Sequence, residues 1–247
     1  TDQCNLFSLV KFYKAASASG VKPIFGVDLW VRDPEDANKP FRMILLVQDG
    51  QGYRNLTRLV SRSYREGQHL GRPMVEKHWL DRGSCGGLIA LSGARRGDVG
   101  RSLLAGDLKE AKNRASHWQQ IFQDRYYLEL QRCGRDQDES CLHASVALAA
   151  ALHLPVVATN DVCFLEASDY EAHEIRVCIH DGRTLDDHRR PRNYSESQYL
   201  RSPAEMAELF ADLPEALENS VEIAKRCTLD LKLGENFLPD FPIPEGM

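Results

Sequence analysis

Tyr126-Tyr127-Leu128-Glu129-Leu130-Gln131, an alanine-rich run over 138–153, and Pro155-Val156-Val157-Ala158-Thr159 form the stretch from which the fold is read. The flanking segments are short and largely apolar, with the lengths of strands. The middle segment has the length and alanine content of a helix. Strand, helix and strand in that order imply two parallel strands joined by a crossover helix.

The same alternation recurs outward from this unit. Residues 5–19 place Leu6, Leu9, Val10, Tyr13 and Ala16 on one helical face, and Gly20 ends the helix. Residues 21–31 read as a strand that enters a loop near Asp28, and 43–47 as a compact strand. A helix over 53–64 turns Leu56, Leu59 and Val60 inward, and Gly83-Ser84-Cys85-Gly86-Gly87 is a turn ahead of a strand over 88–91. Helices follow over 98–105 and 107–121, and another around 168–180. The prediction is an α/β fold with a mostly parallel sheet covered by helices. Periodicity leaves a doubly wound sheet and a barrel equally open.

After Gly182 the texture changes. Residues 183–201 carry Arg183, Arg189, Arg190, Arg192 and Arg201 around Pro191 and read as an extended loop. Ser202-Pro203-Ala204-Glu205 is a helix start with a capping serine and proline in the first turn. A second helix opens at Leu213-Pro214-Glu215 and runs to about Cys227.

The 247 residues are 43% apolar and 27% charged, with a formal charge of −5. That composition excludes global disorder, and the acidic balance disfavours a domain built to grip duplex nucleic acid. No apolar run reaches the ~18–20 residues that cross a bilayer. The seven cysteines are scattered, with no C-x-x-C pair, so zinc ribbons and dithiol redox sites are excluded and reduced thiols in the cytoplasm are expected. Thr1-Asp2-Gln3-Cys4 and the closing Phe241-Pro242-Ile243-Pro244 both read as interior sequence, so a fragment of a longer chain is expected.

Polar groups at strand ends fall at Thr1-Asp2-Gln3, Asp28, and Thr159-Asn160-Asp161-Val162-Cys163. Carboxylates converging on one rim would suit a divalent metal; standing singly they cap helices or satisfy loop amides. There is no H-E-x-x-H, nucleophile elbow, P-loop or G-x-G-x-x-G motif. His143 and His153 are too far apart to share a helical face, and His173 reads as a buried structural hydrogen bonder. Gly97-Asp98-Val99-Gly100 reads as a plain helix start, because Asp98 would repel a phosphate. Arg54, Arg58, Arg62 and Arg65 recur at helical spacing as a solvated face that could meet nucleic acid or an acidic partner.

Several stretches carry a resemblance. Thr1-Asp2-Gln3-Cys4-Asn5-Leu6, Phe12-Tyr13-Lys14-Ala15-Ala16 and Lys22-Pro23-Ile24-Phe25-Gly26 come first. Gly52-Tyr53-Arg54-Asn55-Leu56, Gly87-Leu88-Ile89-Ala90-Leu91-Ser92-Gly93 and Val157-Ala158-Thr159-Asn160-Asp161 follow. Glu171-Ala172-His173-Glu174, Thr184-Leu185-Asp186-Asp187 and Asn219-Ser220-Val221-Glu222-Ile223-Ala224 complete the set. Together they resemble the N-terminal polymerase-and-histidinol-phosphatase (PHP) domain of bacterial replicative DNA polymerase III alpha subunits, gamma-proteobacterial in type.

The resemblance implies a distorted (β/α)7-type barrel over 1–182 that lacks its first strand, so an unpaired edge and association are expected. It further implies an arginine-rich loop over 183–201, a helical extension over 202–232 and a connector toward the polymerase palm over 233–247. Active members hold up to three divalent metals on the rim, and their first histidine motif would lie upstream of Thr1. Carried over one by one, the remaining metal positions are occupied here by Gln3, Asp28, Arg42, Ala94, Cys133, Asp161 and Cys163. Gln3, Arg42, Ala94, Cys133 and Cys163 depart from the expected ligands, and Asp28 replaces a glutamate. Only Asp28, Asp161 and Cys163, with Cys133 a further thiol, keep donor atoms, so no metal cluster is expected. Arg42 beside Asp28 or Asp161 would supply a cation where a metal once sat.

The expected role is a non-catalytic scaffold. It would stabilise the polymerase domains of the same chain and dock the proofreading exonuclease subunit. The parent chain would be a DNA-directed DNA polymerase, a nucleotidyltransferase that uses Mg2+ and touches DNA outside this region. The alternative is a residual phosphoesterase or 3'-5' exonuclease dependent on Mn2+ or Zn2+.

Overall fold

The computed structural model of the chain describes residues 1–33, 38–236 and 238. The elements in order are β1 (Asp2–Gln3), α1 (Leu9–Ala18), β2 (Gly26–Arg32), β3 (Phe41–Val47) and α2 (Gly50–Glu66). Three short strands follow: β4 (Gln68–His69), β5 (Arg72–Pro73) and β6 (Val75–Glu76). Next come β7 (Leu88–Leu91), α3 (Asp98–Leu104), α4 (Leu108–Phe122), β8 (Tyr126–Gln131), α5 (Asp138–Leu152) and β9 (Val156–Thr159). The chain then runs through α6 (Tyr170–Asp181), α7 (Pro203–Leu209) and α8 (Pro214–Arg226).

The main sheet has the order β1-β2-β3-β7-β8-β9, and β6 joins β2 beside β1. The β7-β8-β9 half is parallel, as the strand-helix repeat predicts. β3 alone runs antiparallel to its neighbours β2 and β7, so the sheet is mostly parallel as expected, with one reversed strand that the repeat did not predict. The short connection from β2 to β3 leaves no length for a crossover helix, so the second strand returns directly. The architecture is the barrel-like α/β fold that the resemblance implies.

Alternation along β3 sorts two environments. Phe41, Met43, Leu45 and Val47 are buried in the larger core with Leu56, Trp118, Phe122 and Tyr126. Ile44 and Leu46 point the other way, toward Ile89, Leu91, Tyr127, Val157 and Ile223. Arg42 shares the second face by the two-residue period, and Asp28 does so on β2. The strands therefore carry both charges onto the inner face of the sheet.

Helix boundaries follow their caps. Asp49 Oδ1 accepts from the Gln51 and Gly52 amides at 2.9 Å each and starts α2. Ser202 and Glu205 form a reciprocal capping box at α7. Two expectations need correction. Val10 is 45% exposed rather than inward, because α1 rests on the sheet through Leu9 and Ala16. Asp28 lies in the middle of β2, not at its end, because the strand starts only at Gly26, after Pro23. Residues 183–201 form no helix or strand beyond a bridge from Tyr199 to Phe164, consistent with an extended loop. Of the connector expected over 233–247, residues 237 and 239–247 lie outside the described residues.

Candidate functional site

The inner face of β2, β3, β8 and β9 and the loops above it meet in a chain of alternating charges. Arg42 Nε donates to Asp28 Oδ1 at 2.9 Å, and its Nη2 donates to Asp28 Oδ2, a two-pronged pairing. The same guanidinium reaches across to Asp161 Oδ1 through Nη1 at 3.1 Å. Asp161 Oδ2 in turn accepts from Arg135 Nη1 at 2.9 Å and from Gln198 Nε2 at 3.1 Å. Arg135 Nε is 3.3 Å from Asp138 Oδ2, and Asp138 Oδ1 accepts from Arg95 Nη1 at 3.0 Å. Three carboxylates and three guanidiniums are thus joined end to end.

The side chains of Arg42, Asp28, Asp161 and Arg135 are 12%, 10%, 11% and 9% exposed, so water replaces little of this network. Burial disfavours the Arg42 charge, but the bond to Asp28 and the nearby Asp161 and Glu129 more than offset it and hold the guanidinium protonated. For Asp161, burial alone would raise the pKa; Arg42 and Arg135 outweigh it and keep the carboxyl below its ordinary range. Beneath them Glu129 is 4% exposed and accepts from Thr159 Oγ1 at 2.6 Å through Oε1. Its Oε2 is buried without a hydrogen-bond partner, and burial pushes its pKa up.

The structure brings Asp28, Arg42 and Asp161 together and leaves the other expected positions without a ligand role. Gln3 is exposed on β1. Ala94 is buried after Gly93 and contributes only a methyl group. Cys133 Sγ donates to Asn160 Oδ1 at 3.4 Å, and burial pushes its thiol up to about 11, so it is not a thiolate. Cys163 Sγ lies 3.5 Å from the Asp161 carbonyl, and burial, then Asp161, raise its pKa as well. All seven cysteines are free.

These residues do not fit a metal. Every Asp28 and Asp161 oxygen already accepts from a cation, and both neighbouring thiols keep their protons. Among the described residues no three His, Cys, Asp or Glu side chains form a group that could hold an ion. A guanidinium also cannot give up its charge to make room for one.

The remaining candidates lie elsewhere. Arg54, Arg58, Arg62 and Arg65 are exposed along α2, with Arg62 paired to Glu66 at 2.7 Å and 4.0 Å above the Trp79 ring. His173 is buried, its Nδ1 3.0 Å from Arg176 Nη2. Asp98 is buried against Trp118 Nε1 and accepts from the Val99 amide, as a helix start. Sequence reading missed Arg95, Glu129, Arg135, Asp138 and Gln198. The charge of Glu129 inside an otherwise apolar strand was the available signal.

The chain is 55% identical over all 247 residues to the DNA polymerase III subunit alpha of Pseudomonas aeruginosa, covering 21% of that protein. It is 53% identical over 242 residues to the subunit of that name from Escherichia coli, and 51% identical over 242 residues to that from Vibrio cholerae. In both, 98% of this chain aligns with 21% of the relative, so the chain spans about a fifth of the proteins it matches. No helix among the described residues is long and apolar enough to cross a membrane. Residues 1–133 match the family described as PHP domain, and the chain belongs to that family.

Proposed function

We propose that this PHP domain is the N-terminal part of a replicative DNA polymerase III alpha subunit and acts there as a non-catalytic scaffold. It stabilises the polymerase domains of the same chain and docks the proofreading exonuclease subunit. The parent chain is a cytoplasmic nucleotidyltransferase that uses Mg2+ at its own palm and contacts DNA. The observation that carries the scaffold reading is Arg42, bonded to both Asp28 and Asp161. A fixed guanidinium neutralises the two carboxylates that a metal-dependent phosphoesterase would need for its ions. The likeness of the whole chain to alpha subunits supports the polymerase setting.

The test combines elemental analysis of the purified full-length protein, a nuclease assay in Mn2+ and co-purification with the exonuclease subunit. The scaffold reading expects no metal and no cleavage that depend on Asp161, and a stable complex with the exonuclease. Metal and cleavage that both vanish in Asp161→Ala would instead establish the residual phosphoesterase or 3'-5' exonuclease reading. Failure to form the complex would overturn the partner assignment.

A further inference from the structure

Helix α2 carries Arg54, Arg58, Arg62 and Arg65 against a single acid, Glu66, within 17 residues. All four are exposed, because Leu56, Leu59 and Ser63 hold the other side of the helix in the core. At 1.5 Å per residue the row runs about 16 Å along the axis, in steps of about 4.5–6 Å. The row is a cost to the fold. Arg54 and Arg58, then Arg58 and Arg62, stand four residues apart, where like charges repel.

Arginines on other elements show the contrast. Arg114 pairs with Glu110 at 2.7 Å, Arg132 with Asp212 at 2.6 Å, Arg183 with Asp187 at 3.0 Å and Arg226 with Asp124 at 3.2 Å. Among the described residues only Arg62 of the α2 row has such a partner, Glu66, at 2.7 Å. Arg54 donates to the neutral Gln51 Oε1 at 2.9 Å. Arg58 and Arg65 make no hydrogen bond or ion pair among the described residues. Asp49, at the start of the helix, is no rival, since its Oδ1 accepts from two backbone amides. Three exposed guanidiniums without a carboxylate, set in a row, suit an anion with evenly repeated charges.

We infer that this face of α2 lies along the phosphate backbone of duplex DNA that the rest of the polymerase chain holds. The steps of the row are comparable with those between neighbouring phosphates of one strand, and planar guanidiniums match phosphate oxygens. A single strand binds through aromatic platforms on which its bases stack. Here Trp79 is buried, with Arg62 4.0 Å above its ring, and Tyr64 is turned about 100° from Arg65 around the axis. The face therefore fits a duplex, whose bases are already stacked, and reads no sequence. The overall charge of −5 stands against a domain that grips DNA alone. Three free charges instead add contacts to a duplex gripped elsewhere. The inference rests on the polymerase setting proposed above and is independent of metal and of the exonuclease.

The test is binding of the full-length protein to a primed duplex and to a single strand of equal length, by fluorescence anisotropy over a range of salt. Arg54→Gln/Arg58→Gln/Arg65→Gln should bind the duplex about tenfold more weakly, and the slope of log K against log salt should fall by about 2–3. Its affinity for the single strand should hold, and it should melt no lower than wild type, since the repulsion goes with the row. Lysine at the three positions should restore most of the affinity, because a backbone contact needs the charge more than the fork. Glu66→Gln frees Arg62 and should shift affinity and slope the other way. Lys109→Gln/Lys112→Gln/Lys232→Gln removes three exposed charges elsewhere and should change neither. Primer extension by wild type checks the polymerase setting separately, and its absence would overturn setting and inference together. Where wild type extends primers, an unchanged duplex slope in the arginine variant overturns the inference alone. An equal loss for the single strand would also overturn it. So would loss of exonuclease co-purification with duplex binding intact, which would assign the face to an acidic protein.

Discussion

Arg42 stands between Asp28 and Asp161 and bonds both, at 2.9 Å from Nε to Asp28 Oδ1 and 3.1 Å from Nη1 to Asp161 Oδ1. One side chain on β3 thereby ties a carboxylate on β2 to one just beyond β9, strands that are far apart in the sheet. The centre of the barrel mouth is closed by a covalently attached cation.

Removing that cation leaves two buried carboxylates facing each other. Arg42→Ala should destabilise the chain by about 3–5 kcal/mol, because a buried charge without its partner is expensive. Arg42→Lys should fall between the two, since an ammonium cannot make the fork to Asp28 and also reach Asp161. Urea unfolding of the three proteins measures this. A loss under about 1 kcal/mol for Arg42→Ala would mean that the network contributes little, as exposed pairs do.

Acid should protonate Asp161 only after its neighbours Asp28 and Glu129, whose pKa values burial raises. The folded pKa of Asp161 lies below the ordinary value of 3.8, so its contribution is complete above about pH 4 and is lost as pH falls through the folded value. Arg135→Gln removes one of the two guanidiniums that depress it. The acid-unfolding midpoint should then move to higher pH, followed by fluorescence. An unmoved midpoint would show that Arg135 does not hold the Asp161 charge.

Glu129 should behave in the opposite sense. Its folded pKa is raised above 4.5, so stability falls as pH climbs from the unfolded value through the folded one. Glu129→Gln keeps the Oε1 acceptor used by Thr159 and cannot ionise. It should raise Tm at neutral pH and lose that advantage below about pH 4. Equal gains at both pH values would contradict the ionisation argument.

Packing gives a contrast between two nearby glycines. A Cβ on Gly52 would lie 1.9 Å from the Gly87 carbonyl oxygen, where α2 crosses the turn before β7. A Cβ on Gly50 would have only the tip of Arg54 near it, at 4.0 Å. Gly52→Ala should therefore cost about 1–3 kcal/mol, whereas Gly50→Ala should be neutral or slightly stabilising. Similar melting temperatures for the two variants would refute the close approach of α2 to Gly87.

How far the sequence could be read depended on the kind of signal. Strands β7 and β8 fall where apolar runs between turn residues place them, because burial on both faces leaves an uninterrupted pattern. The antiparallel pairing of β2 with β3 was hidden, since periodicity marks a strand but not its neighbours. Phe41 and Arg42 belong to β3, yet a charge at the head of an apolar run resembles the end of a loop. Asp28 and Asp161 could be singled out from their surroundings. Arg135, Asp138 and Gln198 could not, because Arg135 and Gln198 reach Asp161 from loops, and Asp138 meets Arg135 from the start of α5, along paths that only the tertiary fold determines.

The most direct test of the central claim is equilibrium dialysis of the full-length protein against Zn2+ and Mn2+, with elemental analysis of wild type and Asp161→Ala. A guanidinium-filled mouth predicts no equivalent that depends on Asp161, so wild type and Asp161→Ala bind the same amount, any ions at the palm being common to both. One or more equivalents retained by wild type and lost from Asp161→Ala would contradict it.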